Sequence, residues 1–122
     1  MEMKSALAAL AALGQESRLA IFRLLVQAGP TGLTVGEIGR ALSLAPATLS
    51  FHLKELNHAG MTAATAKGRH IVYAANFDQM NELLAYLTEN CCQGNPGACR
   101  RAGPQASVGT IKKPISKQRK TA

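Results

Sequence analysis

Three cysteines near the end of this 122-residue chain, its only cysteines, are the residues best suited to chemistry. Cys91 and Cys92 are adjacent, and Cys99 follows a glycine- and proline-containing stretch, residues 94–97, that favours a turn. We expect the side chains of the adjacent pair to point in different directions from a frayed helix end. A turn in the following stretch would bring Cys99 back, so that three thiols converge on one centre.

A centre of three sulfurs suits a soft acceptor, because thiolates prefer soft ions. The odd number of cysteines argues against a complete disulfide framework. A structural zinc ion needs four ligands, and no histidine or fourth cysteine lies nearby in the sequence. Trivalent arsenic and antimony form three bonds to sulfur in a pyramid, which matches the three cysteines. A zinc or cadmium site completed by water, and thiols that are redox-sensitive or incidental, remain alternatives.

A second group of functional candidates lies on a helix predicted over residues 46–59. Its leucines recur at spacings of four and three and form one inward stripe, so the opposite side faces solvent. A helix of this kind fits the major groove of DNA, where its early residues reach the base edges. The residues predicted to contact DNA are Thr48, Ser50, Phe51, His52 and Lys54. For His52, a packed and hydrogen-bonded position is the alternative.

A β-hairpin with a basic tip is predicted next, from strands at residues 61–66 and 69–75. Lys67, Arg69 and His70 place hydrogen-bond donors around Gly68, which permits a tight turn. Such a tip can reach a phosphate or the minor groove beside the helix. The alternative is an ordinary solvated turn.

The remaining elements are helical. Apolar spacing predicts helices at residues 5–13, 16–27, 34–42 and 78–90, and Thr34 with Glu37 has the pattern of a capping box. The helix at 16–27 is apolar nearly all round, which indicates a central buried helix. Two short helices joined by a tight turn predict a helix-turn-helix. The fold class is therefore mainly α with a small β-hairpin.

The net charge of +7 is concentrated at the end of the chain. Residues 100–122 contain seven of the 14 lysines and arginines and none of the seven acidic residues, so residues 1–99 sum to zero. We expect two parts: a folded domain at 1–92, and a basic, cysteine-containing, disordered tail at 93–122. The tail is either solubilising or makes weak, salt-sensitive contacts with phosphates.

The ordered combination of motifs resembles the ArsR/SmtB family of bacterial winged-helix repressors over residues 13–90. The matching pieces are ALGQESRLAIFRLL, LTVGEIGRALSLAPATLSFHLKELNHAGM, the hairpin KGRHIVYAA and the last helix. The resemblance implies a winged helix-turn-helix fold and a homodimer built from the first and last helices. It also implies a cytoplasmic repressor that needs no cofactor and leaves double-stranded operator DNA when an inducer binds.

Two metal sites found in that family do not match this chain. The family's paired cysteines before the recognition helix correspond to Thr34 and Gly36, which cannot bind arsenic. On the last helix, Asp78 matches a zinc ligand in type, but Met80 stands where a histidine is wanted. The C-terminal cysteines therefore resemble a relocated arsenical site.

The predicted function is a repressor that releases its operator when As(III) or Sb(III) binds Cys91, Cys92 and Cys99. A thiol redox- or sulfur-responsive repressor is the alternative on the same fold. No enzyme is predicted, because the chain has no Cys-x-x-Cys, no nucleotide-binding glycine loop and no evident acid–base pair. An arsenic-carrying chaperone without a DNA role is a third possibility. No run of 18 apolar residues predicts a membrane span.

Overall fold

The computed structural model describes residues 1–95. The chain divides after Leu87: Met1–Leu87 is one compact unit, and the described residues from Thr88 onward belong to a second. Cys99 and the basic run at 100–122 lie outside the described residues. The disorder of the tail and the domain boundary at 92/93 therefore stay predictions.

The first unit has the predicted order of elements. Its helices and strands are α1 (Met3–Leu13), α2 (Glu16–Ala28), β1 (Leu33–Thr34), α3 (Val35–Leu42), α4 (Pro46–His58), β2 (Thr62–Lys67), β3 (His70–Ala75) and α5 (Phe77–Thr88), the last of which ends one residue into the second unit. The predicted mainly helical fold with a small hairpin is confirmed. The described residues hold no helix long and apolar enough to cross a membrane.

The sheet contains one strand that the sequence did not reveal. β1 pairs antiparallel with β3, with Leu33 opposite Tyr73 and Thr34 opposite Val72, so the strand order is β1-β3-β2. Two residues are too few to show the alternation by which a strand is recognised in sequence. This short strand ties the start of α3 to the hairpin.

Local capping explains where the helix-turn-helix begins and turns. The Thr34 hydroxyl accepts a hydrogen bond from the Glu37 N–H at 3.2 Å, and the Glu37 carboxylate accepts one from the Thr34 N–H at 2.8 Å. This reciprocal pair is the predicted capping box. At the other end of α3, Ser43 adopts a left-handed conformation, with φ 54°, and the chain turns into α4. Pro46 occupies the first turn of α4, where its missing N–H leaves no bond unmade.

The core lies among α2, α3, α4 and the beginning of the hairpin. The predicted inward stripe of α4 is confirmed, since Leu49, Leu53 and Leu56 are at most 1% exposed. Burial of each such leucine contributes roughly 1.5–3 kcal/mol to folding. The other large side chains that are fully buried are Ile21, Leu25, Ile38 and Met61. This packing fixes α4 against the body of the domain and leaves its opposite side free.

In α1, the residues that face inward are alanines, whereas two of its leucines face outward. The buried residues of α1 are Ala6, Ala9 and Ala12, whereas Leu7 and Leu10 are 58% and 41% exposed. Small side chains on the inner side allow α1 to approach the core closely, so the larger leucines are left at the surface.

The same outward exposure of leucines occurs on α2 and α5. The predicted central helix α2 buries Ile21, Phe22 and Leu25, but its Leu19 is 44% exposed, so one side of it reaches the surface. On α5, Leu83 is buried, whereas Leu84 and Leu87 are 53% and 56% exposed. The first unit therefore presents several large apolar side chains to its surroundings.

Candidate nucleic-acid interface and thiol pair

Four of the five residues predicted on α4 lie at the surface. Thr48, Ser50, Phe51 and Lys54 are all exposed, on the side of the helix away from its buried leucines. Phe51 is 55% exposed, a high value for a large aromatic side chain. The outward side of α4 thus combines hydroxyl groups, a ring and a cation, which suit the base edges, thymine methyls and phosphates of DNA.

His52 does not belong to this exposed face. It is only 7% exposed, and its Nδ1 lies 3.4 Å from Nη1 of Arg18 on α2. A guanidinium can only donate, so in a hydrogen bond between the two groups Nδ1 is the acceptor. The prediction of His52 as a DNA contact is therefore corrected: the side chain is packed and hydrogen-bonded inside the domain.

The hairpin forms a wing that projects from the domain. In β2 only Thr62 is buried, and every later residue of the strand is exposed. Lys67 pairs with His70, which leaves Gly68 and Arg69 as a two-residue turn. Gly68 has φ +64°, the positive value that such a turn requires and glycine adopts without strain. The predicted tip residues Lys67, Arg69 and His70 are all exposed.

A groove joins the wing to the helix-turn-helix. It encloses about 550 Å³, and its polar lining includes Arg40 of α3, Ser50 of α4, and Arg69 and His70 of the wing. Arg40 was not predicted from the sequence, because the helix-turn-helix pattern assigns DNA reading to the second helix of the motif. One feature of the sequence could have indicated its role: Arg40 is a cation in the last turn of α3, the helix that directly precedes α4. The groove brings together donors from three elements.

Glu37 is an acidic group near this groove, and it is held in place by its own cap. Hydrogen bonds from the Thr34 backbone and hydroxyl lower the pKa of the Glu37 carboxyl, desolvation partly opposes them, and the nearby Arg40 and His70 add a further lowering. The carboxylate therefore stays ionised and engaged with Thr34. Because Arg40 and Arg69 supply two positive charges, the groove keeps a surplus of positive charge over Glu37.

Cys91 and Cys92 lie in a short 3-10 turn, Cys91–Gly94. Their Sγ atoms are 3.6 Å apart, so the expectation that the two side chains point in different directions is wrong. The left-handed backbone of Cys92, with φ 52°, breaks the helical progression that would have separated them. Both thiols are free; Cys92 is exposed and Cys91 is partly exposed.

The separation of the two sulfurs is suited to one shared ion. Two thiolates on a tetrahedral zinc ion, with Zn–S bonds of about 2.3 Å, lie roughly 3.8 Å apart. A disulfide would require about 2.05 Å. Within residues 1–95, no group of three histidine, cysteine or acidic side chains is arranged to hold a metal. Cys99 lies outside the described residues, so the three-thiol site stays a prediction.

Comparison with known proteins places the helix-turn-helix in a recognised class. Residues 13–63 match the family model described as a helix-turn-helix domain. An uncharacterised HTH-type transcriptional regulator of Bacillus subtilis, YceK, is 43% identical over 58 residues, which are 48% of this chain and 57% of YceK. The chain therefore spans little more than half the length of this curated relative.

Solved structures extend the likeness over most of this chain. HlyU from Vibrio cholerae is 30% identical, with 71% of this chain and 97% of HlyU covered and a TM-score of 0.57. An ArsR-like transcriptional regulator from Rhodococcus is 20% identical at a TM-score of 0.66, covering 88% and 96% of the two chains. The homodimeric winged helix-turn-helix domain of Mb0332 from Mycobacterium bovis is 21% identical at a TM-score of 0.59, covering 76% and 86%.

The order of elements, the wing and these similarities define a class, the winged helix-turn-helix transcriptional regulators. Within that class, the chain belongs to the ArsR/SmtB family.

Proposed function

We propose that this protein is a dimeric, DNA-binding repressor in which α4 reads the major groove and the wing contacts the adjacent backbone. The observation that carries the proposal is the groove that joins Arg40, Ser50, Arg69 and His70 beside the outward side of α4. Phosphate contacts position a protein on the duplex, and base-edge contacts select the sequence. This domain has residues for both tasks on neighbouring elements.

Dimerisation accounts for the leucines exposed on α1 and α5. α5 touches the beginning of the chain, since the Tyr86 hydroxyl donates to Met3 Sδ of α1 at 3.6 Å and the Met1 amine lies 4.0 Å from Glu82. Large apolar side chains left exposed on two elements commonly mark an interface. The homodimer of the Mb0332 domain supports the same assembly here. Two reading helices in one dimer would address an inverted-repeat operator.

The inducer we propose is As(III) or Sb(III), bound by Cys91, Cys92 and Cys99. The 3.6 Å separation of the first two sulfurs supports it, because one soft centre can bind both without a large rearrangement. Cys91 follows closely on α5, the helix assigned to the dimer interface. A bond from these thiols to a metalloid would change the end of α5 and, with it, the spacing of the two reading helices.

The required coupling is modest. A free energy of about 1–3 kcal/mol between the inducer and DNA sites corresponds to roughly 5- to 150-fold weaker operator binding. Thermodynamic linkage then requires that operator DNA weaken inducer binding by the same factor. A metalloid titration with and without DNA should yield one coupling value in both directions.

A fluorescence-anisotropy titration on an inverted-repeat promoter fragment tests the proposal, with arsenite, antimonite and zinc added in turn. We expect arsenite or antimonite to release the DNA and zinc to leave it bound. Cys91→Ser, Cys92→Ser and Cys99→Ser should each abolish release without changing the affinity of the apo protein for DNA. Release of DNA by arsenite from all three variants would refute the thiol site. Release by Cys99→Ser alone would instead indicate an inducer that needs two thiols.

A thiol redox switch is the second candidate, favoured by the two free thiols so close together. In that mechanism peroxide would oxidise two thiols to a disulfide, such as Cys91 to Cys99, and be reduced to water. A peroxide titration under metal-free conditions separates the two candidates, because only the redox mechanism predicts DNA release without a metalloid. HlyU from Vibrio cholerae, 30% identical to this chain, has a solved structure in its reduced form, which makes the comparison worth performing.

A further inference from the structure

Arg18 on α2 connects two other helices through one side chain. Its Nε donates to the backbone carbonyl of Ala12, near the end of α1, at 2.6 Å. Its Nη1 donates to His52 Nδ1 on α4 at 3.4 Å. The backbone N–H of Arg18 is itself held by the side chain of Gln15, which caps α2, at 3.0 Å. The guanidinium is therefore fixed at its root and bonded at its tip to α1 and α4.

The contact to α1 falls where a helix needs a partner. The last carbonyls of an α-helix have no N–H partner within the helix, and the Ala12 carbonyl is among them. The C-terminal end of a helix also carries a partial negative charge, which favours a cation there. Arg18 meets both needs, so its hydrogen bond fixes the end of α1 relative to α2.

Between α1 and α4 the packing is open at this level. A solvent-open groove of about 410 Å³ lies between Ala8 and Ala11 of α1 and Glu55 and His58 of α4, and Arg18 lines it. Direct contact of side chains therefore does not fill the space between the two helices there. The guanidinium crosses beside this space and supplies a polar bridge from one helix to the other.

On α4, the residue that contacts Arg18, His52, lies next to the outward-facing Phe51. His52 is buried and directly precedes Leu53 of the core, and its ring meets the ring of Phe51 at a centroid distance of 5.4 Å and an interplanar angle of 61°. Phe51 is exposed on the DNA-facing side. A rotation of α4 that moves Phe51 would also move His52 away from Arg18.

We propose that Arg18 is a positioning residue that couples the orientation of α4 to α1 through His52. The inference deepens the proposed function, because it takes α4 as the reading helix and the leucine-bearing α1 as part of the dimer interface. In this arrangement a shift of α1 at the interface is transmitted to α4 along Ala12, Arg18 and His52. The bond requires an unprotonated Nδ1, since the guanidinium has no acceptor.

The experiment compares variants of both partners in the full chain by anisotropy with the promoter fragment. Arg18→Met and His52→Leu remove the bond with little change in volume, and each should weaken operator binding by about tenfold, equivalent to about 1.4 kcal/mol. The double variant should be no weaker than either single variant. His52→Asn, which keeps an acceptor near the Nδ1 position, should recover most of the affinity. Arg23→Met, an exposed arginine on the same helix, is the matched control and should stay within twofold of wild type.

Two further measurements separate positioning from general stability. Nitrogen-15 NMR of the His52 ring should show the Nε2–H form in wild type and a change in Arg18→Met. Amide exchange in α4 should accelerate in Arg18→Met relative to Arg23→Met, with exchange in α5 unchanged. If Arg18→Met proves unstable, Arg18→Lys, which keeps the charge but cannot donate from two separate nitrogens, replaces it.

Unchanged operator affinity in folded Arg18→Met and His52→Leu would overturn the coupling, as would fully additive losses in the double variant. If the wild-type chain itself binds no promoter fragment, the proposed function fails instead. The exchange data then decide the coupling: unchanged protection of α4 in Arg18→Met would refute it, and a selective loss there would uphold it.

Discussion

Arg40, in the last turn of α3, and Arg69, in the turn of the wing, line the same groove although they come from different elements. Their charges therefore act on the same stretch of a ligand. A phosphodiester backbone that entered the groove would be held from the helix-turn-helix side and the wing side together. This relationship makes the wing part of the reading surface and not a separate appendage.

Replacement of either arginine should weaken DNA binding without changing sequence preference. For Arg40→Gln and Arg69→Gln we expect the slope of log K against log salt to fall by roughly 1 for each phosphate that the variant no longer neutralises. Titrations at several salt concentrations on specific and random duplexes measure it. Lys4→Gln, an equal change of charge on α1, is the control. An unchanged slope in both groove variants would show that the groove takes no phosphate.

The capping box should contribute to stability independently of DNA. Thr34→Ala removes the hydroxyl that accepts from the Glu37 N–H, and loss of such a cap costs about 0.5–2 kcal/mol. Urea unfolding of the variant checks the value. Thr31→Ala, at an exposed position before the cap, should be close to neutral. A Thr34→Ala variant as stable as wild type would contradict the structural role of the box.

The same cap predicts a pH dependence. The pKa of Glu37 in the folded protein lies below its ordinary value of 4.5, so the ionised carboxylate stabilises the fold above that value. This contribution should fade as the pH falls from 4.5 through the lower folded pKa. Urea unfolding at a series of pH values on both sides of that range should therefore show a steeper acid loss of stability in wild type than in Glu37→Gln. Identical profiles would contradict the assignment.

The outward leucines should matter for assembly and not for the fold of one protomer. Leu7→Lys and Leu84→Lys place charges at sites that are 58% and 53% exposed, so burial within the protomer is hardly affected. Sedimentation velocity should show a shift from dimer toward monomer, with the far-UV circular dichroism spectrum unchanged. Ile71→Lys, on a wing residue that is 48% exposed, is the matched control and should leave the dimer intact. A dimer that tolerates both leucine variants would place the interface elsewhere.

The basic tail should supply non-specific affinity. Because residues 1–99 have no net charge, removal of residues 101–122 takes away most of the positive excess. We expect a smaller salt slope and weaker binding to random DNA, with operator choice and the response to arsenite retained. Parallel titrations of the full and shortened chains test it. Loss of operator preference in the shortened chain would give the tail a reading role.

Much of the fold was predictable because periodic patterns are local. The leucines at 49, 53 and 56 predicted both α4 and its buried side. Thr34 with Glu37 predicted the N-terminal cap of the preceding helix, α3. The direction in which α1 faces was not evident, since alanines and leucines share its apolar pattern and the packing of the whole domain decides between them. His52 was ambiguous for the same reason. Its partner Arg18 lies on another helix, and only the tertiary structure brings the two together.

The site was predicted in part. The exposed residues of α4 and the wing tip follow from helical spacing and a glycine turn, but Arg40 enters the groove only because β1 and the wing fold against α3. The short distance between the Cys91 and Cys92 sulfurs could not be predicted from the sequence either, because it depends on the left-handed backbone at Cys92.

The division of α1 into an alanine side and a leucine side has an evolutionary consequence. Folding constrains Ala6, Ala9 and Ala12, whereas the exposed leucines are free of that constraint. After gene duplication, a copy could therefore change its outward residues, and with them the chain it pairs with, while its fold is preserved. Related regulators in one cell could in this way become insulated from each other through substitutions on a single helix face.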